Sequence, residues 1–260
     1  MSRSTAARIS KRLHPRPLHL AVTSGVAWLR LERPQAGNRI TPELAQALCD
    51  AAAEIEMDDS VVAVVVAASG SDFCRGVEDH GAWETRVDWV NAIGALTRPV
   101  IAAIQGAALA EGFELALACD LRLVSDRAHF AMPQLTQGRL PAHGGTQRLP
   151  RILGRMRALD LLLTGRTIDA AEAAGMGLAT RMVAAQDFDR ALEAFVSQLR
   201  GKGPLAVRFA KEAILKGSDL SLAQGTRLEE DLYALLQTTA DRQEGVRAFL
   251  EKRKPTFRGK

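Results

Sequence analysis

The run Val61–Ala67 is apolar at every position, and it constrains this chain more than any other segment. A strand with one wet face alternates apolar and polar residues, so a run without alternation predicts a strand covered on both faces. Ser69-Gly70-Ser71-Asp72 breaks it, and a second run of the same kind, Pro99–Ile104, stops at Gln105-Gly106. Upstream, Leu18–Thr23 and Val26–Leu31 are β-prone runs flanking Ser24-Gly25, a hairpin signal. Thr41-Pro42-Glu43 then opens a helix reaching Met57: Thr41 can cap orphan amides, Pro42 suits the first helical position and Glu43 complements the positive end of the dipole. Helical pattern returns from Ala110 to about Cys119, followed by a short strand, Leu121–Val124. This alternation predicts an α/β core with largely parallel strands. Beyond about residue 145 the pattern is nearly all helical, with helices expected over Phe188–Leu199, Pro204–Leu215 and Leu220–Leu236. With no internal repeat and no low-complexity linker, that tail reads as a packing or oligomerisation layer.

Composition supports a large buried core: 260 residues at 47% hydrophobic content need neither disulfides nor metal to fold. Cys49, Cys74 and Cys119 are an odd set without CxxC spacing, which argues against a disulfide framework or a zinc site and suits a reducing compartment. No uncharged apolar stretch is long enough to cross a bilayer, and a soluble protein with no membrane partner is expected. The net charge of +4 gathers at the ends, with Arg3, Arg8, Lys11, Arg12 and Arg16 before the first acid, Glu32, and Lys252, Arg253, Lys254, Arg258 and Lys260 at the close. Without aromatics interleaved among these charges, no nucleic-acid partner is expected. Residues 1–17 are expected to be a flexible basic N-terminus of a cytoplasmic protein; read as a transit peptide, the same Arg- and Ser-rich start points to the mitochondrial matrix.

Chemistry-bearing residues gather in two loops, each after a buried strand. Phe73-Cys74-Arg75-Gly76-Val77-Glu78 carries a glycine that lets the backbone turn sharply and aim an amide into a cleft. Gly106-Ala107-Ala108-Leu109-Ala110-Glu111-Gly112-Phe113-Glu114 is a small-residue approach to a helix start, whose first amides lack internal partners and bind an oxyanion or phosphate. Glu114, three residues after Glu111, lies on the same side of that turn. Taken alone, the segment is equally a helix start whose acids favour its dipole.

Phe73-Cys74-Arg75-Gly76, the loop ending in Glu114-Leu115-Ala116 with Cys119-Asp120 beyond, Gly144-Gly145-Thr146-Gln147-Arg148-Leu149, Leu163-Thr164-Gly165 and Phe249-Leu250-Glu251-Lys252-Arg253-Lys254-Pro255 together resemble the crotonase, or enoyl-CoA hydratase/isomerase, family. The motifs occur in order and with correct spacing from about residue 18 to the C-terminus. The resemblance implies an α/β fold, a spiral of ββα units over residues 18–200 with a helical trimerisation region over 201–260, assembled as a homo-trimer or a dimer of trimers. It implies acyl-CoA thioesters as substrates, with coenzyme A part of the substrate and no separate cofactor or metal. Backbone amides at Arg75 and Glu111 would hold the thioester oxygen as it gains enolate charge, and Phe249 and Lys252 would reach a neighbouring subunit's CoA.

Against the same pattern, Glu114 matches the first of the two glutamates that hydratases of this family use, whereas the second position, in Phe130-Ala131-Met132-Pro133-Gln134, holds Gln134. An amide orients water but has no titrating proton. Arg75 stands for a usually small residue, Glu111 for a usual glycine, Glu78 for a usual aspartate and His143 for a usual alanine or glycine. Opposite charges gained at Arg75 and Glu111 suggest that these side chains pair over the thioester; the alternative is that both point away while only their amides work. His143 reads either as a loop residue or as a proton-transfer group, His129 as structural, and His14, His19 and His80 offer no ligand spacing. Three functions follow: a hydratase or isomerase working through a thioester enolate; a relative catalysing hydrolysis, decarboxylation or hydration of a ring-containing acyl-CoA; and a non-catalytic acyl-CoA-binding subunit.

Overall fold

The computed structural model of the chain describes residues 17–81 and 86–260, so the basic N-terminus lies, but for its last residue, outside the described residues. Strands β1 (Leu18–Thr23) and β2 (Val26–Leu31) form the expected hairpin. Its two-residue turn works because Ser24 and Gly25 both take positive φ, 51° and 76°, the conformation that matches the strands' right-handed twist. Helix α1 (Pro42–Met57) starts where Thr41 accepts from the Leu44 amide, and buries Leu44, Leu48, Ala52 and Ile55 along one face.

β3 (Ala63–Ala68), β4 (Val100–Ile104), β6 (Leu121–Ser125) and β9 (Arg181–Val183) extend the hairpin in parallel, giving a six-stranded sheet in the order β1-β2-β3-β4-β6-β9. The unalternating runs are covered on both faces, as expected. Val64 and Val66 point into the main core with α1, while Val65 and Ile101 point the other way, onto Phe188, Leu192, Phe195 and Val196 of α7 (Phe188–Arg200). The successive side chains of a strand address opposite faces, so one apolar run serves two cores.

Three short strands that the sequence pattern does not reveal form a second sheet: β5 (Ala107–Leu109), β7 (His129–Ala131) and β8 (Ile168–Asp169). Isolated parallel bridges Cys74 to Ala108 and Ile40 to Val77 prolong this layer toward the first loop. The chain therefore repeats one path: a strand in the large sheet, a strand in the small layer, then a helix. It runs β4, β5, α3 (Glu111–Ala118), and again β6, β7, α4 (Gly145–Leu153). Each turn brings a loop and a helix start to the same side. Between β3 and β4 lies α2 (Trp89–Gly94), and between β7 and β9 come α5 (Arg155–Thr164) and α6 (Ala170–Met176). The C-terminal region is α8 (Pro204–Gly217), α9 (Leu222–Gln237) and α10 (Ala240–Leu250), the last helical where only a motif had been read. None of the three cysteines is bridged, and burial pushes the Cys74 and Cys119 thiols up to about 12.

Candidate active site

Helix α3 is buried along its whole length, so its first-turn amides can be approached only from the loop packed against its start. That loop is Phe73–Val77. The approach is close: a Cβ on Gly112 would stand 2.7 Å from Cys74 Cβ, and one on Gly76 would stand 3.1 Å from Ala110 Cβ. Glycine at both positions is therefore required by contact, and at Gly76 also by a φ of 91°. Ala110, at the helix N-cap, is held at φ 50° and ψ −121° without a side-chain cap, a strained conformation for a residue with a Cβ.

Glu114 is fully buried. Its Oε1 accepts from the backbone amides of His143 and Gly145, each at 2.8 Å, which places the carboxylate at the positive end of α4. Its Oε2 faces Gln134 Nε2 at 3.5 Å. Gln134, 1% exposed in a short 3-10 turn, keeps a buried Oε1 with no hydrogen-bond partner. Burial is the main cause that lifts the Glu114 carboxyl to about 7; the Gly145 and His143 amides work against it, the charge of Glu111 works with it, and Arg148 opposes it. A buried carboxyl held near neutrality can both take and return a proton at physiological pH.

The second acid of the turn behaves differently. Glu111 is 2% exposed, its Oε2 accepts from the Val77 amide at 3.0 Å, and its Oε1 lies 3.2 Å from Arg139 Nη2. Its own backbone amide, first in α3, has no acceptor within the helix.

Two sequence expectations are corrected here. The Arg75 amide is not the first donor to an oxyanion, because it is bonded at 3.0 Å to a backbone carbonyl, Gly37 O, which unlike a side chain cannot rotate away. The Arg75 and Glu111 side chains do not pair: Arg75 Nε bonds Asp72 Oδ2 at 2.6 Å and the side chain is 45% exposed. Gly37, at φ 60°, leaves the space that the Arg75 stem fills, so the guanidinium runs outward while Glu111 turns inward to Arg139. The amide that faces the start of α3 belongs instead to Val77, the residue after the sharp Gly76 turn.

Arg139 and Trp89 also border this region and belong to no motif that the sequence offers, while Arg148 stands in the Gly144–Leu149 motif without a role assigned to it from sequence. Arg148 holds His143 O at 2.7 Å and also bonds Asn91 Oδ1. The His143 ring packs against Trp89 at a tilt of 54°, ring centres 5.1 Å apart, and the His143 backbone amide reaches Glu114. Glu78 pairs with Arg33 at 2.5 Å at the rim, and His129 sits at the edge of β7, near Arg127 O. Phe249 is 82% exposed at the end of α10, and Lys252 is exposed just beyond it.

The model of the family described as enoyl-CoA hydratase/isomerase matches residues 21–260. An Arabidopsis thaliana protein named "Probable enoyl-CoA hydratase 2, mitochondrial" is 40% identical over 249 residues, covering 91% of this chain and 82% of that one. The (E)-benzylidenesuccinyl-CoA hydratase of Thauera aromatica is 34% identical over 254 residues, covering 94% and 99%. Among solved structures, the enoyl-CoA hydratase from Bacillus anthracis superposes with a TM-score of 0.87 at 33% identity, covering 94% of this chain and all of that one.

Proposed function

Because the chain belongs to the enoyl-CoA hydratase/isomerase family and is an acyl-CoA enzyme of that kind, we propose that it moves protons beside a thioester enolate with one carboxylate, Glu114. The observation that carries this reading is the buried Glu114 with its carboxyl raised to about 7, paired with an amide, Gln134, that cannot titrate. In hydration, Glu114 takes a proton from water as the oxygen adds to C3 of a 2-enoyl thioester. The electron pair of the double bond moves onto the thioester oxygen, and the same carboxyl then delivers its proton to C2. In isomerisation, Glu114 removes the C2 proton of a 3-enoyl thioester and returns it to C4. Both reactions close with a single acid–base group, provided the enolate is stabilised while the proton waits on Glu114.

That stabilisation is assigned to the backbone amides of Glu111 and Val77, which replace the Arg75 and Glu111 pair expected from sequence. A donor of this kind is worth about 2.7–4 kcal/mol in comparable oxyanion sites. The unpartnered, buried Oε1 of Gln134 favours hydration as the first reaction, since a water donating to it would stand beside Glu114 Oε2. In this reading coenzyme A is part of the substrate and no further cofactor takes part. Exposed Phe249 and Lys252 would meet the CoA of a neighbouring subunit in a homo-trimer or a dimer of trimers, Lys252 offering charge to its phosphates. No helix among the described residues is long and apolar enough to cross a membrane, and the reading keeps the cytoplasm, or the mitochondrial matrix, as the compartment. Assay of crotonyl-CoA hydration and 3-enoyl-CoA isomerisation tests it. At least one reaction should proceed and fall about 10²-fold or more in Glu114→Gln, whereas unchanged turnover in that variant removes Glu114 from the mechanism.

A further inference from the structure

The Val77 amide, aimed at the start of α3, already holds a carboxylate, and the carboxylate is the chain's own. Glu111 Oε2 sits 3.0 Å from that amide in a side chain 2% exposed, so close to the loop that a Cβ on Gly76 would stand 2.7 Å from the same oxygen. Arg139 meets the other carboxylate oxygen at 3.2 Å and is 26% exposed. One residue thus supplies two opposed elements: a backbone amide that can donate to an incoming oxygen, and a carboxylate lying on the amide opposite.

Resting on the acyl-CoA reading above, we infer that Glu111 is an internal competitor of the thioester oxygen, seated on the Val77 amide in the free enzyme and displaced onto Arg139 when an acyl-CoA thioester binds. One N–H shared between a carbonyl oxygen and a carboxylate oxygen makes a bifurcated bond weaker to each, so the two compete for it. The carboxylate keeps a cation as it leaves the amide, because Arg139 Nη2 already holds its other oxygen at 3.2 Å, while Arg139 Nη1 lies 2.6 Å from His80 Nε2. The consequence is selectivity for ligands whose carbonyl gathers enough negative charge to replace a carboxylate. An enolising thioester does so, and a ligand with no carbonyl at that position gains nothing from the exchange.

The test compares butyryl-CoA, which has the thioester oxygen, with S-butyl-CoA, which lacks it, by calorimetric titration of the full chain and of Glu111→Ala, which keeps the backbone amide. Removal of the competitor should tighten butyryl-CoA by about tenfold or more, the scale of a hydrogen bond to a charged group, and leave S-butyl-CoA unchanged. Glu111→Gln, nearly isosteric, guards against loss of fold and should give a smaller gain in the same direction. Arg139→Ala, which strips the displaced carboxylate of its cation, should weaken butyryl-CoA alone. Equal shifts for both ligands, no shift, or weaker butyryl-CoA binding in Glu111→Ala and Glu111→Gln would overturn the competitor assignment while leaving the acyl-CoA reading intact. Absence of binding of either CoA compound to any form overturns both.

Discussion

At the scale of single residues, the difference between Gln134 and a second glutamate decides what the site can do. A carboxylate at position 134 would stand about as far from Glu114 as the amide does, 3.5 Å, and two carboxylates at that distance cannot both be ionised, so one would keep its proton near neutral pH. Gln134→Glu is therefore expected to raise the rate of crotonyl-CoA hydration by about tenfold or more, because a proton donor then faces the base. No gain with intact CoA-ester binding would mean that the pocket is shaped for another acyl group or another reaction. That Glu114, Gln134 and Glu111 come together was legible in the sequence because motifs fix their spacing. The partners of Arg75 and Glu111 were not. Both positions depart from small residues, and nothing local in the sequence says that Gly37 opens a channel for one side chain while Arg139, 28 residues beyond Glu111, receives the other.

At the scale of elements, the start of α3 carries a cost that the chain retains. Ala110 occupies φ 50° and ψ −121° where glycine would be at ease, and its amide and carbonyl are committed, the amide to Ala131 O at 2.9 Å. Ala110→Gly is expected to stabilise the protein by about 1 kcal/mol, the relief of a strained backbone less the extra entropy of an unfolded glycine. Chemical denaturation checks it, and a loss of stability would show that the Ala110 methyl packs more favourably than its backbone is strained. The hairpin, α1 and the buried strands were readable because turn chemistry, capping and unalternating apolar runs are local signals. β5, β7 and β8 were not, since two or three residues are too few to show a period, and their pairing is dictated by the large sheet that positions them.

At the scale of the whole molecule, the layered path from large sheet to small sheet to helix brings three loops to one side, so that Val77, Glu111, Glu114, Gln134 and the His143 and Gly145 amides meet although 68 residues separate the first from the last. The helical end of the chain shows the opposite tendency. α8 buries none of its side chains within the chain, and Leu222, Phe249 and Leu250 are largely exposed, which supports the proposed role of this region in assembly. The proposal of a trimerisation region rests on resemblance, because a helix stripe reads the same whether it packs inside a subunit or between subunits. What the whole arrangement achieves is one carboxylate, taken out of water and held at the start of α4, that titrates close to neutrality. The pH dependence of kcat/KM for enoyl-CoA turnover, which reports groups of the free enzyme, tests that claim most directly. With Glu114 as the base, the rate rises with pH through an inflection near 7, where its carboxyl ionises, and levels off above it. A flat profile between about pH 5.5 and 8.5, with chemistry limiting the rate, would contradict the account.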